Sequence, residues 1–121
     1  MDFEISSSVE ADVLVVTFGG RVGDANVVDM VRRYFDLVLA ERPKKVLADV
    51  RALEGKASSG RIYFLVRNLP QPVPKAVKTA FLDRAERAEE ARFLESTAHN
   101  AGVELKAFVD RDAALAWLRA S

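Results

Sequence analysis

Runs of apolar and polar residues divide the chain into strands and helices. In residues 3–9, Phe3, Ile5, Ser7 and Val9 alternate with polar neighbours, which is the period of an edge strand with one exposed face. Residues 12–18 follow a short polar turn and are more continuously apolar, so the two segments predict a hairpin that leads into a sheet. Residues 46–50 are apolar except for Asp49, which is typical of a central parallel strand buried on both faces.

Four segments carry the apolar periodicity and the end signals of helices. They are the segment from a cap at Asp24 or Asn26 to about Glu41, residues 59–69, residues 84–100, and the segment that Asp110 caps. Residues 76–82 and 103–109 predict two more strands, and Pro70, Pro72 and Pro74 predict a stiff surface connection before the first of them. The predicted order is β-β-α-β-α-β-α-β-α, an α/β fold.

Two of the predicted helices have unusual surfaces. The helix over residues 59–69 is apolar or aromatic nearly all round, which favours either a well-covered core helix or a surface patch for a partner. For the second interpretation, Gly60, Tyr63 and Phe64 are the candidate partner-binding residues. The helix over residues 84–100 has mixed charges, Arg87 among them, which predict a face turned to water.

Composition narrows the class of protein. The 121 residues are 50% hydrophobic, which suits one domain over residues 1–121. Eighteen basic residues balance eighteen acidic ones, so neither nucleic acid nor an anionic membrane surface is an expected partner. The chain has no cysteine, no signal-peptide pattern and no apolar run that spans a bilayer, so we expect a cytoplasmic protein without membrane insertion.

Glycines follow the second predicted strand in the run GGRVGD. The run lacks the spacing of a phosphate-binding glycine loop, and no Lys-Ser or Lys-Thr pair follows it. Turn chemistry is therefore predicted for Gly19, Gly20 and Gly23, and a nucleotide site is not.

Acidic residues mark the expected location of a site. Asp49, Asp83 and Asp110 lie near the carboxyl ends of successive predicted strands, where loops and helix N-termini converge on ligands. Three carboxylates at one rim suit a magnesium site, since hard cations take oxygen ligands. The interpretation we favour assigns Asp110 to a helix cap and Asp49 to a loop hydrogen bond, with no metal and no cofactor.

Catalytic residues are not indicated. His99 is the only histidine and lies late in the third predicted helix, and the sequence has no G-x-S-x-G turn that could hold a serine nucleophile beside it. Acid–base catalysis most often uses histidine or paired carboxylates in a shared site. We therefore expect the protein not to be an enzyme.

The element order and several short motifs resemble the STAS/SpoIIAA-like proteins of bacteria over nearly the whole chain. The motifs are FGGRV after the second strand, LADVRALEG, SSG and the closing FVDRDAALAWL. The resemblance implies a STAS or SEC14-like fold, with helices packed on a mixed sheet of four or five strands, and a non-enzymatic role. Its most specific parts are LADVRALEG and AALAWL.

The resemblance also implies a candidate phosphorylation site. In the anti-sigma-factor antagonists of this fold, a D-S-S-G turn at the start of the second helix holds a serine that a partner kinase phosphorylates. The matching positions here are Ala57, Ser58, Ser59 and Gly60, so both serines are present and the acidic residue is not. Ser58 and Ser59 are the candidate phosphoacceptors, and the alternative is that either serine only caps the helix.

Two functions remain open. The first is a regulatory module that binds a protein, either another chain or a second copy of itself, through the Ser58/Ser59 end of the second helix. The second is a small carrier for an apolar, lipid-like molecule, which requires an internal pocket of several hundred Å³.

Overall fold

A computed structural model of the protein describes residues 2–55, 57–68 and 77–120. The strands are β1 Phe3–Glu10, β2 Val13–Val22, β3 Lys45–Asp49, β4 Glu54–Gly55, β5 Lys78–Leu82 and β6 Leu105–Phe108. The helices are α1 Val27–Glu41, α2 Ser59–Arg67, α3 Ala88–Asn100 and α4 Arg111–Arg119, with a 3₁₀ turn, Ala85–Arg87, before α3. Across these described ranges, no helix is long and apolar enough to cross a membrane.

The strands form a mixed sheet in the order β1-β2-β3-β5-β6. β1 is antiparallel to β2, and the other neighbours along this path are parallel, with Leu47 of β3 between Val15 and Ala80. This arrangement confirms the edge hairpin and the buried central strand. The two-residue strand β4, which pairs with the end of β2, was not predicted, because so short a segment has no periodicity.

Both faces of the sheet are covered by helices, which explains the continuous apolar run of β3. Val46 and Ala48 pack on the face that α1 covers, and Leu47 packs on the opposite face, under α4. Ala114, Leu115 and Leu118 of α4 are buried against this opposite face. We call the sheet face that α1 covers the first face. Partly buried side chains of α2 and α3 also pack on it.

Turn chemistry was predicted for Gly19 and Gly20, and this is wrong because β2 continues through both of them to Val22. Gly20 has a φ of +78°, and a Cβ atom there would lie 2.3 Å from the carbonyl oxygen of Asp2. The amide of Arg21 donates to that same oxygen at 3.0 Å. Glycine is therefore required by the close approach of two paired strands, which local sequence does not reveal.

Some predicted boundaries cannot be compared with the structure. The end of the second helix at residue 69, the start of a strand at residue 76 and the proline segment all lie outside the described residues. Within the described residues, α2 ends at Arg67 and β5 begins at Lys78. The predicted helix over residues 84–100 divides into the 3₁₀ turn and α3, because its first residues fold around the buried ion pair of Arg87 and Asp83.

The close approach at Gly20 gives a stability prediction. Replacing Gly20 with Ala is expected to lower the free energy of unfolding by about 2 kcal/mol, since alanine is strained at positive φ and its Cβ collides with Asp2. Gly19→Ala is the matched control, because its Cβ would have only ordinary contact with the Glu4 side chain at 3.6 Å. Urea unfolding of both variants tests this, and equal losses would contradict it.

Candidate functional site

The N-terminus of α2 begins with a capped serine. Ser58 has an extended backbone, and its Oγ accepts a hydrogen bond from the amide of Arg61 at 3.3 Å. The Ser58 amide in turn donates to Oδ1 of Asp24 at 2.7 Å. Ser58 is therefore the helix cap and is also exposed, while Ser59 is the first residue of the helix.

Asp24 was one of the two residues predicted to cap α1, but its side chain contacts the start of α2 instead. Asn26 occupies the N-cap position of α1, but its side chain makes no capping bond there. Its Oδ1 accepts from the amide of Gly23 at 2.8 Å, and its Nδ2 donates to the carbonyl of Arg21 at 3.0 Å. Asp24 is consequently available to hold the start of α2.

One face of α2 carries exposed aromatic side chains. Tyr63 is 51% exposed and Phe64 is 60% exposed. The guanidinium of Arg67 lies 5.9 Å from the ring centroid of Tyr63, and no heavy atom lies within 4 Å of a Cβ placed on Gly60. The core interpretation is wrong for Tyr63 and Phe64, since no described element covers them. We call Ser58, Gly60, Tyr63 and Phe64 the α2 surface.

The three rim acids lie at or just after the ends of neighbouring strands, since Asp49 ends β3, Asp83 follows β5 and Asp110 follows β6, but each has its own partner. The Arg51 side chain donates to the Asp49 carboxylate from Nε at 3.0 Å and from a terminal nitrogen at 2.9 Å, and the Arg51 backbone amide also donates to it. Burial acts to raise the pKa of Asp49, but the hydrogen bonds from Arg51 outweigh it and hold the pKa below its usual value. Asp110 caps α4 by accepting from the amide of Ala113 at 2.9 Å.

Asp83 is the buried member of the three acids. Its side chain is only 8% exposed, and Oδ1 lies 2.9 Å from a terminal nitrogen of Arg87. The amide of Arg84 donates to the same oxygen at 2.7 Å. Burial raises the pKa of the Asp83 carboxyl, although Arg84 and Arg87 oppose that shift. Among the described residues, no group of acids and histidines is arranged to hold a metal ion.

Arg87 does not face water, so its predicted position was wrong. Its side chain is 16% exposed and donates to the carbonyl oxygens of Leu53 at 2.7 Å and Val50 at 3.0 Å. The loop after β3 leaves these carbonyls without strand partners, and Asp83 adds a buried negative charge beside them. A guanidinium satisfies both needs with one side chain, because its positive charge pairs with Asp83 and its donors lie on separate nitrogens of a rigid planar group.

A pocket of about 260 Å³ lies between the sheet and the three helices on its first face. Its apolar wall includes side chains from β2, α1, β3, β5 and α3, among them Phe18, Val31, Val38, Ala48, Phe81 and Leu94. Gly55, Ala57 and Leu65 contribute from the β4–α2 region. Among the described residues at the wall, the polar side chains are those of Tyr34, Thr79, Asp83, Arg87 and Glu90.

Tyr34 and Thr79 form the polar pair that the sequence analysis missed. Burial raises the pKa of Tyr34 to about 12, and hydrogen bonding with the Thr79 side chain opposes that shift. In the sequence, Tyr34 recurs at helical spacing with Val31 and Val38, where a tyrosine is unremarkable. A clearer signal was Thr79, which falls between Val77 and Phe81 on the strand face that points to the helices.

Solved structures share this fold over nearly the whole chain. The chain is similar to an anti-sigma factor antagonist from Mycobacterium paratuberculosis, with a TM-score of 0.67 and 17% identity, over 98% of this chain and 95% of that one. It is also similar to an uncharacterized protein with a SpoIIAA-like fold from Shewanella loihica PV-4, with a TM-score of 0.59 and 21% identity, over 96% and 93% of the two chains. No protein-family model and no curated protein matches the chain. The protein therefore has the SpoIIAA-like fold, as the resemblance implied.

The buried ion pair gives a second stability prediction. Arg87→Met is expected to lower the free energy of unfolding at neutral pH by about 3 kcal/mol, because it leaves Asp83 charged and buried without its partner. Arg51→Met is the control, since Arg51 is 44% exposed and the loss of its pair is expected to cost only about 0.5 kcal/mol.

The pH dependence separates loss of charge pairing from loss of packing. A carboxyl with a raised folded pKa contributes stability below its unfolded pKa, and that contribution is lost as the pH rises through the folded pKa. Without Arg87, the pKa of Asp83 is expected to rise further, so the deficit of Arg87→Met should shrink as the pH falls from about 7 toward about 4. Urea unfolding at both pH values measures it, and a constant deficit would contradict the assignment.

Proposed function

We propose that the protein is a non-enzymatic regulatory module that binds another protein through the α2 surface. The observation that carries the proposal is the pair of exposed aromatic side chains, Tyr63 and Phe64, directly beside the capped serine Ser58. The similarity to an anti-sigma factor antagonist supports a protein partner, since such a protein acts on another protein. A second copy of the chain is the other partner that this surface suits.

The chemistry of the α2 surface is that of an interface centre. Aromatic residues carry much of the binding energy at protein interfaces, where they fill pockets of the partner. Burial of one such side chain is worth roughly 1.5–3 kcal/mol. Arg67 beside Tyr63 adds a cation that stacks on the ring and offers donors to an acidic group of the partner. The partner is therefore expected to present an apolar cleft with acidic groups at its rim.

Phosphorylation of Ser58 or Ser59 is the regulatory part of the proposal. Ser58 is exposed, and a phosphoryl group at a helix N-terminus is tolerated by its own domain. The carboxylate of Asp24 already lies against the Ser58 amide, so added negative charge there would accumulate beside the partner's binding face. The effect of phosphorylation would thus fall on the complex and leave the fold intact.

Phe64→Ala tests the surface. The variant is expected to weaken partner binding at least tenfold, because it removes an exposed aromatic contact of roughly 2 kcal/mol, and to leave unfolding unchanged. Leu39→Ala on α1 is the control, since Leu39 is also an exposed helical side chain, at 46%. A pull-down from the host identifies the partner, and titration with the purified partner or sedimentation of the protein alone gives the affinity. Equal effects of the two variants would reject the α2 surface.

Ser58→Asp tests control by charge. Asp, Asn and Ser are comparable helix caps, so Ser58→Asp and Ser58→Asn are both expected to keep the stability of α2. The aspartate is expected to weaken partner binding about fivefold through one added negative charge, and the neutral asparagine is expected to leave it unchanged. The intact mass of the protein from its host, purified with phosphatase inhibitors, measures the modification itself. Equal binding by both variants would remove the charge switch.

A second candidate function rests on the pocket. Its volume of about 260 Å³ is close to the lower bound of small-molecule sites, and most of its wall is apolar. A concave site with a mostly apolar wall is the kind that binds small molecules. A carrier or sensor for a small apolar molecule is the function that such a site suits. NMR titration of the methyl groups at the pocket wall with small apolar molecules tests it.

A further inference from the structure

We propose that the pocket binds an uncharged apolar molecule of about ten non-hydrogen atoms that carries one oxygen, and that this oxygen bonds to the hydroxyl groups of Tyr34 and Thr79. The proposal rests on the carrier function just described and adds the chemical class of the ligand. It does not depend on the α2 surface.

The size of the ligand follows from the volume of the pocket. A cavity of about 150 Å³ holds one benzene molecule, so a pocket of about 260 Å³ holds on the order of ten non-hydrogen atoms. This volume is too small for a whole phospholipid or a long acyl chain. The apolar side chains at its wall, such as Phe18, Val31 and Leu94, suit the hydrocarbon part of the molecule.

The polar end of the ligand is assigned from the hydroxyl pair. Thr79 is 7% exposed, on the central strand β5 among apolar side chains, and it faces Tyr34 of α1 across the pocket wall. The two hydroxyl groups at the wall have two O–H donors. Both are able to donate to one carbonyl, ether or hydroxyl oxygen of a ligand, which has two lone pairs. A ligand without the oxygen leaves these donors unsatisfied in the bound state, which favours the molecule that carries the oxygen.

We expect the ligand to be uncharged because no described residue at the pocket wall offers a cation without a carboxylate partner. Among the described residues at the wall, the guanidinium of Arg87 is neutralised by Asp83, and Glu90 adds a negative charge. The Tyr34 phenol has its pKa raised to about 12 by burial, so it stays neutral and remains a donor at physiological pH. A carboxylate ligand would lose its hydration without gaining a positive partner.

The test uses three probes of matched size: acetophenone with one carbonyl oxygen, cumene with none, and benzoate with a negative charge. Methyl signals of Val31, Val38 and Leu94 in NMR titrations of the full chain report binding in the pocket. Acetophenone and cumene are expected to shift these signals, and benzoate is expected to bind more than tenfold more weakly than acetophenone.

Tyr34→Phe isolates the hydroxyl contact. The variant keeps the ring that packs 5.7 Å from Phe18 and 5.1 Å from Phe35 between centroids, and it removes only the phenolic oxygen. It is expected to weaken acetophenone about fivefold and to leave cumene unchanged. Thr79→Val is the second variant with the same expectation, and Tyr63→Phe on the α2 surface is the control that changes neither probe.

Three results would overturn the proposal. Each also shows whether the carrier function fails together with the assigned ligand class. If acetophenone binds wild type and Tyr34→Phe equally, the hydroxyl assignment fails and the pocket still stands as an apolar site. If benzoate binds as tightly as acetophenone, the uncharged class fails. The third result has two parts: no probe shifts the pocket signals, and Ala91→Leu, which fills the pocket, only raises the melting temperature. The carrier function then fails as well. The α2 surface is unaffected in each case.

Discussion

The contact between Arg87 and Asp83 fixes the part of the molecule on which both candidate sites depend. Arg87 lies in the 3₁₀ turn before α3, Asp83 follows β5, and the carbonyls of Val50 and Leu53 belong to the loop after β3. One guanidinium therefore joins two neighbouring strand ends to the start of a helix. The loop that it holds continues into β4 and then into α2, so the position of α2 depends on this buried network.

The helix α2 has two different environments along its length. Tyr63 and Phe64 are exposed, whereas Leu65 is partly buried and lies at the wall of the pocket. Ala57, just before the helix, lines the pocket as well. Ser58 and Asp24 hold the start of α2, and the described residues add few other side-chain bonds to the helix. The helix therefore separates an outer face suited to a protein from an inner face suited to a small molecule.

Sequence reasoning succeeded where one local pattern decides the structure. The unbroken apolar run at residues 46–50 predicted a strand covered on both faces, and the aspartate before the last helix predicted a cap that Asp110 provides. It failed where the deciding group is distant in sequence. Nothing near Gly20 in the sequence indicates that the Asp2 carbonyl lies against it. Likewise, nothing near Arg87 indicates that the carbonyls of a loop some 35 residues earlier need a donor.

The candidate sites show the same division between local and distant information. The exposed aromatic residues of α2 were identified because the helix had more apolar side chains than one buried face uses, although pattern alone left two interpretations open. The pocket was not located, because a void depends on how side chains from several elements fail to fill the space between them. Thr79 was the one available signal, since a hydroxyl between Val77 and Phe81 on a core-facing strand requires a partner. That partner, Tyr34, becomes identifiable only when α1 is placed over β5.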